Sequence, residues 1–446
     1  MAEVFISHCW NEDFGDFARA LARALARDVV VWICSFAIWQ HGDIGQSLKA
    51  PDTCPFARAM SACQRVLVVA DRSLEVMERC WCVLEAKLAQ EWTKPYDLCV
   101  QDELDEQVWQ EVGGKLQSLD VKNCKATVEA DKTAILEYAA QRSGGVDAVN
   151  EAVRKVSSRA IARARVQASA VAGDLAALLA AGKEELLSWR SVRGRSVAHV
   201  LARESRIFAL RGLLEASAWT EVDVQDYEGQ TPLSIAAEKG AVGSVQALLA
   251  LRANVDARDQ RGLTPLHHAA AESRCTIARL LVQAEADLEA RGCYRCAPGL
   301  SPLAVTLTCR GGHAAVAKVL LGHRADASFE YHGTSMLHTS ANYGYPRISA
   351  ALLAARVELD ARNSMGATPV MMAAMAGCVA SVSLLLAARA SLLPVDCHGR
   401  SCRDYCREGQ GGTEEVRHIL ALLDRFDAAA GKGDWSRSRD VCCSAQ

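Results

Sequence analysis

Two cysteines, Cys293 and Cys296, form a Cys-Tyr-Arg-Cys step whose spacing suits half a zinc site or a redox pair. No second ligand pair stands at zinc-finger spacing, so an elongated loop with two free thiols is expected. His199, His267 and His338 recur at one position of a repeated phrase, in separate copies of it. That placement argues for structural hydrogen bonds and against a shared metal, and no metal site is expected. Cys443 lies four from the end, in Cys443-Ser-Ala-Gln446, with Cys442 before it and Lys432, Arg437 and Arg439 upstream. This is a prenylation box in form, but Ser444 and Ala445 are poor aliphatic positions, so membrane anchoring is not expected. Phosphate-binding glycine loops, zinc-metalloprotease helices and serine-nucleophile elbows are absent from the sequence.

The elements that must carry these residues are announced by seven glycines: Gly194, Gly229, Gly262, Gly299, Gly333, Gly366 and Gly399, a period of about 33. Each is followed two positions later by Ser or Thr, and Pro232, Pro265, Pro302 and Pro369 come next in four copies. The Ser or Thr caps a first helix, proline is preset for its first turn, and paired alanines let neighbouring helices approach. A second helix follows with a Leu-Leu pair (Leu248-Leu249, Leu280-Leu281, Leu320-Leu321, Leu352-Leu353, Leu385-Leu386), then an extended finger such as residues 255–259. One such unit cannot bury its apolar face alone, so the units must stack as an all-α solenoid.

Gly262-Leu-Thr-Pro-Leu-His-His-Ala-Ala270 carries the whole Thr-Pro-Leu-His-x-Ala signature, and over residues 167–427 the chain resembles the ankyrin-repeat family, with about seven repeats. The resemblance implies a concave face that binds a protein partner. Tyr331, Tyr343, Met372 and Met375 occupy finger or outward first-helix positions and are the expected contacts, since aromatics and methionines anchor interfaces. Ankyrin units commonly end their second helix on a glycine. Here that slot holds Arg252, Glu285, Arg324, Arg356 and Arg389, at about 1 kcal/mol per unit if the left-handed turn is kept.

Residues 1–100 alternate apolar runs (Val4–Ser7, Val29–Ile33, Val66–Val69, Leu98–Val100) with helical stretches over 13–27, 56–63 and 74–91. This is the rhythm of a parallel α/β sheet. Val4-Phe-Ile-Ser-His-Cys-Trp10 and Cys80-Trp-Cys-Val-Leu-Glu85 resemble the opening and later boxes of Toll/interleukin receptor (TIR) domains, which implies flavodoxin-like topology and self-association. Some TIR domains cleave NAD between nicotinamide and ribose. The resemblance makes Glu85 the matching catalytic carboxylate, with Ser7, His8, Trp10 and Trp39 lining the cleft and NAD as substrate; no cofactor is required. A fixed negative charge would stabilise the oxocarbenium character of that reaction. The loop around residues 38–44 departs from the family spacing.

Residues 101–166 read as a helical extension or linker with helices over 131–139 and 146–170, and residues 428–446 as a disordered tail. Arg154, Lys155, Arg159, Arg163 and Arg165 lack interleaved aromatics and read as a solvated basic face. Across the 446 residues a net charge of −3 offers no footprint for nucleic acid, and no apolar run reaches membrane-spanning length. Eighteen scattered cysteines, with no basic leader after Met1, point to a cytoplasmic chain, or a nuclear one. The function expected is a signalling adaptor whose repeats choose the partner and whose TIR-like domain assembles or recruits; the alternative is an NAD glycohydrolase regulated by the repeats.

Overall fold

The computed structural model describes residues 4–8, 31–33, 55–70, 79–100, 109, 114, 118–125, 129–141, 144–191, 193–216, 222–292, 304–331 and 333–431. Trp10, Trp39, Cys293, Cys296, Cys442 and Cys443 lie outside them, as do the expected helix over 13–27 and the tail from residue 432. The chain divides into two compact units, Met1–Leu201 with Phe208–Trp219, and Ala202–Ile207 with Thr220–Gln446.

The first unit is built on a parallel sheet of β1 (Val4–His8), β2 (Val31–Ile33), β3 (Arg65–Ala70) and β4 (Tyr96–Val100), in the order β2-β1-β3-β4. Phe5 pairs with Trp32 and Val66, and Val68 with Leu98, so β1 and β3 run through the centre. Their continuous apolar letters follow from this, because central strands of a parallel sheet are covered on both faces. Helix α1 (Pro55–Ala62) leads into β3, and α2 (Cys80–Glu91) leads into β4. Cys82, Val83, Leu84, Ala86, Leu88 and Ala89 of α2 are all buried, since α3 (Glu129–Gln141) and α4 (Gly145–Ala172) pack against it.

Residues 101–166 therefore supply part of the first unit's core: α4 also packs on β4 and contributes Val149, Val153, Ala160 and Ile161. Its basic residues are only partly a solvated face. Arg163 ties Asp97 of β4 at 3.0 Å and reaches the Arg190 carbonyl, while Arg154 donates to the Leu119 carbonyl at 2.7 Å. Arg65 holds the other Asp97 oxygen at 3.3 Å, so one carboxylate is gripped from both sides. The unit continues through α5 (Leu175–Ala180), α6 (Lys183–Ser188), α7 (Val197–Arg203) and α8 (Ile207–Glu215).

The second unit contains the helix pairs α9 (Pro232–Lys239) and α10 (Val242–Ala250), α11 (Pro265–Ala271) and α12 (Cys275–Gln283), α13 (Ala304–Gly311) and α14 (Ala314–Gly322). After a two-residue ribbon, β5 (Glu330–Tyr331) and β6 (Thr334–Ser335), come α15 (Met336–Asn342) with α16 (Pro346–Ala354) and α17 (Pro369–Met375) with α18 (Val379–Ala387). First helices pack on first helices, second on second, and each pair on itself. The array closes with α19 (Cys402–Glu408) and α20 (Thr413–Gly431), which buries Ile419, Leu422 and Leu423. Helix α20 runs three residues beyond Ala428, where the sequence alone placed the start of the tail.

Candidate functional site

Four of the repeated glycines are preceded by a finger turn held through local hydrogen bonds at fixed offsets. Three residues before the repeated glycine stands Asp226, Asp259, Asn363 or Asp396. Its side-chain oxygen accepts two backbone N–H groups of the turn, as Asp259 does from Arg261 and Leu263 at 2.9 and 2.8 Å. The glycine then turns left-handed: Gly229 has φ 77°, and a Cβ there would meet the Gln260 nitrogen at 2.7 Å. The left-handed φ, 67° to 77° at Gly194, Gly229, Gly262, Gly333, Gly366 and Gly399, is what the repeated glycine supplies; at Gly229 the next finger also leaves no room for a side chain.

Successive fingers are stitched by carboxylates that accept a backbone N–H of the next unit. Asp223 binds Asn254 at 3.0 Å, Asp256 binds Asp287 at 2.9 Å, Glu289 binds Asp326 at 2.8 Å and Asp360 binds Ser391 at 2.9 Å. Sequence reasoning missed this ladder, though a signal existed: an acid stands six residues before Gly229, Gly262 and Gly366.

The repeat histidines are hydrogen-bonders, as their position suggested. His267 Nδ1 lies 2.9 Å from the Thr264 hydroxyl and accepts the Thr264 N–H at 3.2 Å; His199 and His338 do the same with Ser196 and Ser335. His338 Nε2 donates to the Ala367 carbonyl at 2.9 Å, which leaves Nδ1 as the acceptor. Burial holds the His338 pKa below its usual value, against the upward pull of that carbonyl, so the ring is kept neutral. Among the described residues no group of three potential ligands stands close enough to hold a metal. Burial pushes the Cys309 and Cys402 thiols up to about 12, which leaves them protonated and unreactive.

Other residues fill the histidine slot in the remaining copies: Ser234, Ala304, Met371 and Asp404. Met371 occupies the histidine slot of α17: the Thr368 N–H falls back on its thioether at 3.4 Å, and the buried Thr368 hydroxyl has no hydrogen-bond partner. Met371→His is expected to restore both bonds and raise the second unit's stability by about 1 kcal/mol. An unchanged or lower urea midpoint at constant m-value would show that the slot does not act this way.

All five second-helix termini that lack glycine are left-handed in the structure, with φ 60° at Arg252, 63° at Glu285, 67° at Arg324, 62° at Arg356 and 73° at Arg389. The backbone keeps the turn and carries its cost.

These features meet the matched family directly. Residues 198–292 and 303–396 match the family model of ankyrin repeats (three copies). The repeats are ankyrin repeats. The chain is also similar to the solved ankyrin repeat domain of human ASB11, at 21% identity, covering 51% of this chain and 97% of that one with a TM-score of 0.44. A second similar structure is the ankyrin repeat domain of Bcl-3, described as a unique member of the IkappaB protein family, at 22% identity, 51% and 99% coverage and a TM-score of 0.43. No curated protein matches the chain.

The ankyrin repeats carry an exposed apolar set towards their C-terminal end. Tyr343, at the end of α15, is 51% exposed and stacks on Tyr345 with ring centroids 6.0 Å apart. Met372 and Met375 on α17 are half-buried, and the Met372 sulfur lies 4.0 Å from Asn363 Nδ2, against the base of its own finger. Tyr331 lies in β5, where the backbone pairs it with Thr334; its side chain is outside the described set. Structure adds Met365 and Tyr227 at finger turns, and Leu393 and Val395 on the last finger, all exposed. The missed signal for Met365 was its place immediately before Gly366, at the tip.

In the first unit, Ser7 and Glu85, placed in one cleft by the TIR resemblance, are hydrogen-bonded to each other inside the protein. Glu85 is 3% exposed and accepts a hydrogen bond from the Ser7 hydroxyl, which also lies 3.3 Å from the Cys82 sulfur. Burial pushes the Glu85 pKa up to about 8, against the lowering effect of the Ser7 hydrogen bond. The carboxyl is therefore mostly neutral at pH 7. His8 pairs with Val69 through the sheet register, and its side chain is outside the described set. No helix among the described residues is long and apolar enough to cross a membrane.

Proposed function

We propose that this protein recognises a protein partner through its ankyrin repeats, with the C-terminal repeats as the contact. The exposed Tyr343 and Met365, with the half-buried Met372 and Met375, carry the reading: accessible aromatic and methionine side chains are the usual anchors of protein interfaces. The first unit acts as the assembling or recruiting half of an intracellular adaptor. The resemblance of its two boxes to TIR domains is supported by their places in the fold, one along β1 and the other opening α2, and by the strand order β2-β1-β3-β4.

The test is affinity capture with the full chain, comparing wild type with a Tyr343→Ala, Met365→Ala double variant. Capture of the partner is expected to weaken at least tenfold, about 1.4 kcal/mol, while Leu179→Ala on the first unit leaves it unchanged. Equal capture by the double variant would remove the repeats' C-terminal end as the contact.

The NAD-cleaving reading draws support from the Ser7–Glu85 pairing alone. A buried neutral carboxyl lacks the negative charge that would stabilise an oxocarbenium ion, so nicotinamide release from NAD is expected to match the Glu85→Ala background. A wild-type rate well above that of Glu85→Ala would revive it.

A further inference from the structure

We propose that the contact between α2 and the end of β1 is latched by a proton on Glu85, and that loss of this proton opens it, exposing Glu85, Ser7 and Cys82. The inference concerns the first unit alone and does not rest on the partner-binding reading.

The geometry is that of a carboxyl with half its hydrogen bonding missing. Among the described residues its Oε2 is buried without a partner, and its one hydrogen-bond donor is a serine hydroxyl that is itself completely buried. Its neighbours Val83, Leu84 and Ala86 belong to the apolar core of the unit. Among the described residues, Tyr96 of β4 is a titratable group that senses Glu85, and Cys82 of the same helix shares the site through Ser7. Tyr96 is held well above the usual tyrosine range, first by burial and then by Cys82 and Glu85, so it stays neutral and adds no second negative charge. Glu85 forms no ion pair among the described residues. A neutral carboxyl leaves one oxygen unsatisfied in this site; an ionised one leaves a charge in the core with a single donor.

The folded protein therefore holds the proton more tightly than a solvent-exposed carboxyl does. Stability from this group is complete below about 4.5, declines as pH rises, and stops declining once the folded value of about 8 is passed. Between pH 6 and pH 8 the opening equilibrium should rise about fiftyfold, then level off. In the closed state Cys82 is buried.

The experiment is pulsed alkylation of the full chain from pH 6 to pH 9, with Cys82 and Cys397 quantified separately by peptide mass spectrometry. Cys397 is an exposed free thiol and corrects for the ordinary rise of thiolate with pH. In wild type the Cys82 to Cys397 labelling ratio should climb by more than tenfold over this range. In Glu85→Gln, which cannot ionise, it should stay flat. Ser7→Ala removes the hydrogen bond that lowers the Glu85 pKa, so the levelling-off should move to higher pH and the climb up to pH 9 should be larger than in wild type. A flat wild-type ratio, or a climb that survives in Glu85→Gln, overturns the proposal. Should Glu85→Gln fail to fold, infrared difference spectra of wild type decide it. A protonated buried carboxyl must be present at pH 6 and fade by pH 9; its absence at pH 6 sinks the latch.

Discussion

Replacing Asp97 by alanine is expected to lower the stability of the first unit by about 3 kcal/mol, the loss that follows when one partner of a largely buried ion pair is removed. Asp97 is gripped by Arg65 at 3.3 Å and Arg163 at 3.0 Å, and its side chain and that of Arg65 are each only 11% exposed. Without the carboxylate two guanidinium groups face each other with no anion between them. Arg163 keeps its bond to the Arg190 carbonyl and is 30% exposed, which limits the cost on its side. Asp97→Asn keeps hydrogen-bonding atoms without the charge and should cost less. A double-mutant cycle with Arg163→Met should give a coupling of about 1–2 kcal/mol, because the two groups touch. Urea unfolding followed by a first-unit probe such as Trp189 fluorescence checks this. A change within 0.5 kcal/mol of wild type, on the scale of an ordinary surface substitution, would mean the clamp is ornamental.

The second large effect runs in the opposite direction. Changing Arg252, Glu285, Arg324, Arg356 and Arg389 together to glycine is expected to stabilise the ankyrin array by about 3 kcal/mol. Each left-handed non-glycine residue costs about 1–2 kcal/mol, of which glycine's greater freedom in the unfolded chain returns about 0.5–1. The four arginines lose a few tenths more, since a cation at a helix carboxyl end is favourable, while Glu285 is unfavourable there for the same reason. The five sites lie in separate units, so their effects should add, and repeat arrays sum unit and interface terms. A fivefold variant whose denaturation midpoint equals that of wild type would show that the left-handed turns carry no strain.

Much of the second unit is legible in the sequence because its key bonds join residues close along the chain. The Thr264–His267 cap, the Asp259 turn and the slot at Arg252 each close within a few residues, so residue type and offset specify them. The same logic found the four strands, of which β2 is described over Val31–Ile33. The exposure of Tyr343 follows from its position within the unit in the same way.

Distance along the chain marks where that logic ended. Arg163 meets Asp97 across 66 residues and Glu85 meets Ser7 across 78, and no local rule pairs them. The basic run on α4 therefore read as a solvated face, and residues 101–166 as a linker, until the helix was seen lying on α2 and β4. The sequence by itself determined the period, the caps, the turns and the left-handed slots, because short-range sterics and hydrogen bonds decide those. Tertiary structure alone decided which charges are buried, since burial depends on what the rest of the chain brings alongside: it turned Arg163 into a clamp and left Glu85 holding a proton in the core.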